Sequence, residues 1–436
     1  MFEVVGIAIY LILFAIVAAA FFRTALCLFV FALPLYVVRF SIGPLPTTLV
    51  EGMMLILAAV WIVRKSHRHE WGEYGACLIR GTANKLALGC MGLFFLAGVV
   101  SVFISPVPIA ALGLWRAYFL EPMLFFFILL DSLRSKEFSR AVMISAVASA
   151  VSIAWIAVTQ RITGVGIPVE WAAQGRMTSI YPYPNAVGLY VAPLVPFAIV
   201  LFLASRSRVW RVAYGAAIPA MFAAIFFAQT EAALGALAIS LFLFALLYSS
   251  RSRIAACSIA AVVIAGLIAS PTAVSFLKTK LLLKDWSGKV RRGIWTETNE
   301  MLKDYWLLGA GLAGYKEVFP KYHVREYVEV FQYPHSIFLN FWTETGVAGV
   351  ASFLALLGMF FYFALMLLRR SRLLPRSDDA HAARVLALAL TTSMITILLH
   401  GLVDVPYFKN DLAMQFWLLF ALVWGSYQAA VKNAAA

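Results

Sequence analysis

Charge is scarce in this 436-residue chain: Asp, Glu, Lys and Arg make up 13% of it, against 63% hydrophobic residues. An average soluble domain is roughly half apolar and about a quarter charged, so the shortage excludes an ordinary soluble enzyme and a disordered chain. Cysteine is thinner still. Cys27, Cys90 and Cys257 fall inside apolar runs and Cys77 in a basic loop, so no spacing points to a disulfide framework or a zinc site. Histidine is also rare, with no His-x3-His or His-x-x-Glu-His arrangement, and neither a metal nor another cofactor is expected. Acid is in shorter supply than base, 21 residues against 35, leaving a formal charge of +14. In a membrane protein such an excess first reports orientation, because basic loops are retained in the cytoplasm; no nucleic-acid partner is expected.

What is abundant is apolar sequence in long runs. A helix needs about 20 mostly apolar residues to cross a bilayer core of about 30 Å. Such stretches fall at 4–22, 25–38, 48–63, 86–104, 109–130, 141–159, 186–204, 212–229, 232–249, 254–274, 347–368, 385–400 and 411–430. The first lacks a basic segment before it and is followed at once by more apolar sequence, which marks a span and not a cleaved signal peptide. The expected fold is an all-α polytopic membrane helix bundle of about 12–13 spans, with a large extracytoplasmic loop containing amphipathic helices. Three regions are expected: N-terminal membrane helices over 1–274, the loop region over 275–346, and C-terminal membrane helices over 347–436.

The connections sort by charge. Arg64, Lys65, Arg68, Arg80 and Lys85 share one loop, Arg134, Lys136 and Arg140 the next, then Arg206, Arg208 and Arg211, then Arg251 and Arg253, then Arg369, Arg370, Arg372, Arg376 and Arg384. These loops occupy every second connection, and the positive-inside rule makes them cytoplasmic. Segments 105–108, 159–185, 229–231, 275–346 and 400–410 then lie outside. Segment 275–346 is the longest, and loops of that length are uncommon unless functional. Within 289–306, Val290, Ile294, Thr298, Met301 and Tyr305 recur at three- to four-residue spacing, the period of an amphipathic helix lying on the membrane or on the bundle.

The outside segments hold the chemically unusual residues. Gly309-Ala310-Gly311-Leu312-Ala313-Gly314 spells the dinucleotide fingerprint, but that motif works only between a strand and a helix of a βαβ unit, and a tight turn after the amphipathic helix suits these glycines better. Arg291 and Arg292 are open to two readings, contact with lipid head groups or a guanidinium grip on a lipid-linked phosphate. Arg176 offers a second fork from a neighbouring loop, and two cations facing one compartment suit a diphosphate. Tyr181-Pro182-Tyr183-Pro184-Asn185 either starts the next span or lets Asn185 and the tyrosines contact a sugar. His335 stands where the longest loop meets an apolar helix, with Asn340 and Glu344 one and two turns on. Neutral imidazole there accepts a proton from a sugar hydroxyl, as glycosyl transfer requires of a general base. His400 and Asp404, four residues apart at a span edge, form either a structural pair or part of a site. Arg116 and Glu121, both within a span, are expected to neutralise each other in the bundle interior.

Pro334-His335-Ser336-Ile337-Phe338-Leu339-Asn340-Phe341-Trp342-Thr343-Glu344-Thr345-Gly346, preceded by Arg291-x-x-x-Trp295 and Leu308-Gly309-Ala310-Gly311, resembles the O-antigen ligase and O-antigen polymerase family. Gly175-Arg176, Pro184-Asn185 and His400-Gly401-Leu402-Val403-Asp404 are similar to that family's segments too, so the resemblance runs from about residue 170 to 420. It implies an all-helical membrane glycosyltransferase that takes glycan from a polyprenyl diphosphate carrier outside the bacterial cytoplasmic membrane. It further implies that Arg176 and Arg291 bind the donor diphosphate and that His335 activates the acceptor hydroxyl without a required metal. The chain departs from the family at Thr230-Glu231-Ala232, where Ser-Arg-Gly is common: an acid replaces a cation, so Glu231 either serves an acceptor or pairs with Arg291.

The leading expectation is therefore ligase-like transfer from a lipid-linked donor to a glycan, lipid or protein acceptor, with membrane lipids as the other partners. A polymerase of the same type and a transporter or flippase of lipid-linked glycans are the alternatives, the latter predicting inverted repeats that the chain does not display. A non-catalytic scaffold for envelope assembly is the third class.

Overall fold

The computed structural model describes residues 2–42, 45–325, 329–373 and 378–433. Arg376, one of the basic-loop residues behind the charge pattern, lies outside the described residues. The described chain is an all-α membrane bundle, its one sheet being the antiparallel hairpin Arg39–Ile42 and Leu45–Thr48. Each expected apolar stretch coincides with a helix. Among the described residues, nine of these, from Thr82–Ile104 to Ala380–His400, are long and apolar enough to cross a membrane, and Val5–Ala20 and Phe22–Val37 are shorter apolar helices.

The remaining two, Leu49–His67 and Asn410–Asn433, carry buried polar side chains that lipid would not tolerate: Glu51 and Lys65 in one, Asp411 and Gln415 in the other. Protein surrounds them instead. Phe416, Trp417, Phe420 and Trp424 of Asn410–Asn433 are fully buried, and this helix packs on Glu121–Ser132 and on Ile337–Leu373. Ser250–Ala269, by contrast, buries no residue and stands at the bundle's edge.

Local chemistry sets the ends that matter. Thr48 and Glu51 form a reciprocal capping box that starts Leu49–His67. The buried Glu51 carboxylate also takes Arg116 Nη2 at 2.7 Å and Asn410 Nδ2 at 2.9 Å, tying three elements at one end of the bundle. Arg116 Nε lies 3.3 Å from Glu121, so the expected interior pair exists, widened to a triad and seated on a π-helical turn, Arg116–Leu120.

The predicted amphipathic helix is Trp286–Tyr305, started by Asp285, whose side chain accepts from Gly288 N. Its Ile294 and Met301 do not lie on the membrane. They join Ala310, Tyr315, Val318 and Phe319 in a small core belonging to the loop itself. The glycine run then docks on the bundle. Gly309 and Gly311 have φ of +75° and +84°, and a Cβ would lie 2.7 Å from Thr343 O at the first and 2.5 Å from Ser105 Cα at the second. Backbone thus packs on backbone: Ala310 N donates to Thr343 O and Leu312 N to Ser101 O. Opposite Gly309, Gly346 (φ +68°) breaks the helix Ile337–Leu373, and a Cβ there would collide with Leu307 O. These contacts account for the glycines without a nucleotide.

Candidate active site

Four segments that are distant in sequence meet at the outer-loop end of the bundle. Arg176 follows the short helix Val169–Ala172; its guanidinium packs over Trp171, donates through Nε to Ala228 O at 3.1 Å and through Nη2 to Asn185 Oδ1 at 2.9 Å. Asn185, the first residue of the helix Asn185–Val191, turns its amide nitrogen to Asp404 Oδ2 at 3.3 Å. The other oxygen of Asp404 accepts from Val405 N at 2.8 Å and lies 3.9 Å from His335 Nδ1. A relay of side chains therefore runs from Arg176 through Asn185 and Asp404 to His335.

Arg291 and Trp295 build the other wall. One turn apart on Trp286–Tyr305, they share a helix face. Arg291 Nε donates to Val403 O at 2.9 Å and Nη1 to Ser287 Oγ at 2.7 Å, while Trp295 Nε1 holds Pro334 O at 2.9 Å, one residue before His335. Ile337 N donates to Gly401 O at 2.8 Å, a close crossing in which a Cβ on Gly401 would sit 2.7 Å from Ile337 Cγ2. Held from both sides, His335 adopts a left-handed φ of +49°, and its ring meets Phe331 and Tyr333 edge-on at 4.8 and 4.9 Å. A non-glycine residue in this region costs about 1–3 kcal/mol and persists only where its surroundings over-determine it.

Burial pushes the His335 imidazole below its ordinary value; the Asp404 carboxylate opposes this and the Arg291 cation adds to it. The ring is therefore neutral near pH 7 and able to accept a proton. Desolvation also lowers Arg176 from the usual arginine range, opposed by the Glu231 carboxylate. Among the described residues, several buried polar atoms around this cluster have no hydrogen-bond partner: His335 Nδ1, Asn340 Oδ1, His400 Nε2 and Tyr183 Oη. Orphaned groups at such density point to a ligand's place, since burying them unpaired is unfavourable.

Two of the expected partnerships are not formed. Glu231 does not pair with Arg291. Its exposed carboxylate meets Lys280 Nζ at 2.6 Å, because the helix Pro271–Leu281 returns from the span Ser250–Ala269 to that end of the bundle, and Arg291 is committed to Val403 and Ser287. His400 and Asp404 do not share a helical face. The helix Asp378–His400 stops at His400, the chain turns at Gly401, and Asp404 reaches Asn185 instead; among the described residues no hydrogen bond joins the pair. Arg292 is exposed, and Glu344 is buried, accepting from Ala313 N at 3.0 Å to hold the glycine turn.

One residue escaped sequence reasoning. Lys409 lies 3.8 Å over the Tyr183 ring, and among the described residues its ammonium has no carboxylate or hydrogen-bond partner. Burial lowers it to about 8, with Asp411 opposing and Arg39 adding to the effect. The signal was there: Lys409 follows Asp404 in the same short segment, but a lysine at a span edge ordinarily snorkels to water.

The architecture and this cluster together define a polytopic membrane protein with a histidine- and arginine-lined polar site at the end of the bundle that carries its long loop. Residues 216–354 match the family model described as O-antigen ligase, a stretch that includes Glu231, Arg291 and His335. The match, over about a third of the chain, agrees with the resemblance of its motifs. The match suggests an O-antigen ligase or polymerase type of function in cell-surface polysaccharide synthesis and supports a membrane-embedded enzyme. Arg176, Asn185, His400 and Asp404 lie outside the matched stretch. No curated protein matches the chain.

Proposed function

We propose that the chain is a ligase-like, inverting glycosyltransferase that moves a glycan from a polyprenyl diphosphate to an acceptor hydroxyl at the outer face of the bacterial cytoplasmic membrane, without a metal. One observation carries the reading: Arg176, Asn185, Arg291, His335 and Asp404 converge on one partly buried cluster. His335 Nε2 takes the acceptor proton while Nδ1–H faces Asp404, which orients the ring and stabilises the imidazolium that forms. The acceptor oxygen attacks the anomeric carbon from the face opposite the leaving group. The bond from that carbon to the diphosphate oxygen breaks, and the diphosphate departs with the electron pair. Arg176 and Arg291, held by backbone carbonyls and therefore already oriented, receive the developing charge; such preorganisation lowers a barrier because little rearrangement is needed as charge builds. Asn185 joins the diphosphate side to the base side, and the ring of the buried His400 keeps a nitrogen with no hydrogen-bond partner among the described residues.

The test is consumption of a lipid-linked glycan donor by the purified full chain in detergent, where no compartments exist and a transporter has nothing to move. The wild type consumes donor and forms glycosylated acceptor, and His335→Ala forms none while eluting as a folded species. Full activity of His335→Ala overturns the base assignment, and unaltered donor with every acceptor class overturns the transferase reading.

A further inference from the structure

The opposite end of the bundle holds a second built site. Leu49–His67 runs 19 residues, about 28 Å, away from the end where Asn410 meets Glu51, which is close to one hydrocarbon thickness. Where it finishes, a cavity of about 420 Å³ opens to the surface between the junction of the first two helices, the end of Leu49–His67 and the end of Glu121–Ser132. Five cations line it, Arg23, Arg64, Lys65, Arg68 and Arg134, against two carboxylates, Glu70 and Asp131.

The two carboxylates are already engaged. Lys65, almost wholly buried, bridges Asp131 at 2.9 Å and Glu70 at 3.2 Å, and Asp131 also takes Trp61 Nε1 at 2.9 Å and Arg134 Nη2 at 3.0 Å. The facing wall has no such compensation. Arg23 lies over the Phe138 ring and Arg64 over Phe22, Arg64 donating besides to Ala19 O; among the described residues neither has a carboxylate partner. Phe21, two-thirds exposed, stands at the rim beside them. The result is a cleft with a net charge of +3 from its five cations and two carboxylates, in which two guanidinium forks have no carboxylate partner among the described residues, and an exposed aromatic side chain at its mouth. Guanidinium forks match phosphate oxygens bidentately, and basic clefts between membrane helices favour anionic head groups.

We infer that this cavity is a binding site for a phosphate group, presented by an anionic phospholipid at the membrane face opposite the His335 cluster. The site is independent of the proposed transfer chemistry and uses none of its residues.

Native mass spectrometry of the purified full chain tests it. Delipidated protein is titrated with phosphatidylglycerol, with phosphatidylcholine, and with phosphatidylglycerol in the presence of inorganic phosphate. The wild type is expected to retain one phosphatidylglycerol on the order of 10-fold more tightly than Arg23→Gln/Arg64→Gln, the loss of about one charge-assisted contact's worth of affinity. Arg251→Gln/Arg253→Gln, which removes equal charge from another basic loop, is expected to behave as wild type. Equal retention by all three proteins, equal loss in both doubles, or no preference for phosphatidylglycerol over phosphatidylcholine in the absence of phosphate binding overturns the site. Displacement of the lipid by millimolar phosphate, with phosphate binding lost in the same double variant, keeps the anion site and moves its source from lipid to free phosphate. Should the glutamine double fail to elute as a folded species, Arg23→Lys/Arg64→Lys keeps the charge and removes the forks. A several-fold weakening there supports the site, and wild-type retention overturns it.

Discussion

The relation between His335 and its two charged neighbours makes a prediction with opposite signs. If neutral His335 is the base, kcat/KM falls tenfold per pH unit below the imidazole's pKa in the free enzyme and is flat above it. Burial and Arg291 lower that pKa from 6.5, so the acid limb of the wild type lies below 6.5. Asp404 raises it, its oxygen 3.9 Å from Nδ1. Two unit charges at that distance interact by about 1 kcal/mol in a water-like medium and by about 4 kcal/mol at an effective dielectric constant of about 20. Asp404→Asn removes that raising influence and so moves the limb down. Arg291→Gln removes a lowering influence and moves the limb up. Both substitutions reduce the plateau, the first by loosening the ring and the second by weakening the hold on the leaving group, but the position of the limb is separate from its height. The assay is donor consumption by the purified chain from pH 4.5 to 8.5, paired with a carbon-13 titration of labelled imidazole, which reads the pKa without turnover. The same limb in all three proteins, or shifts in the same direction, refutes the electrostatic coupling and with it the base assignment.

Other substitutions separate the remaining roles. Arg176→Lys cannot reach both Ala228 O and Asn185, and losing a charged hydrogen bond of about 1.5–3 kcal/mol raises the donor KM by about 10- to 100-fold in the transfer assay. Glu231→Gln breaks only an exposed pair with Lys280, so transfer changes by less than about twofold; a tenfold loss would show that the acid acts on substrate. Gly346→Ala forces a side chain into Leu307 O at a positive φ and lowers the unfolding midpoint in detergent, by a destabilisation of about 2 kcal/mol or more; an unchanged midpoint contradicts the crossing. Lys409→Gln removes a cation whose ammonium makes no ion pair or hydrogen bond among the described residues; transfer is expected to drop about 10-fold, and wild-type rates would make Lys409 a bystander.

Much of this was legible in the chain before folding was considered. Apolar run length marked every span, because a helix in lipid must satisfy its own backbone and has no cheaper alternative. Charge alternation grouped Arg176, Arg291, His335 and Asp404 on one side, and the structure brings these residues to one end. Pairings within the site were not legible. The spacing of His400 and Asp404 assumed a helix that Gly401 ends, and Glu231 met a lysine from a segment whose return path no periodicity reveals. The basic cleft around Arg64 was hidden for another reason. Four of its five cations, Arg64, Lys65, Arg68 and Arg134, already served to explain orientation, and the junction at Phe21 that opens the cavity carries no charge of its own.

The glycine crossings bear on how a bulky lipid-borne substrate enters. Gly309 lies against Thr343, Gly311 against Ser105, and Gly346 against Leu307, so the long outer connection is riveted to two helices through its main chain. A segment fixed in this way is a strut and not a flap: swinging it aside would break backbone hydrogen bonds at Ala310 and Leu312 together. Access is then a matter of sideways traffic. On the proposed function, a lipid-borne donor enters between helices beneath a stationary roof, and the cycle includes no closing of this segment.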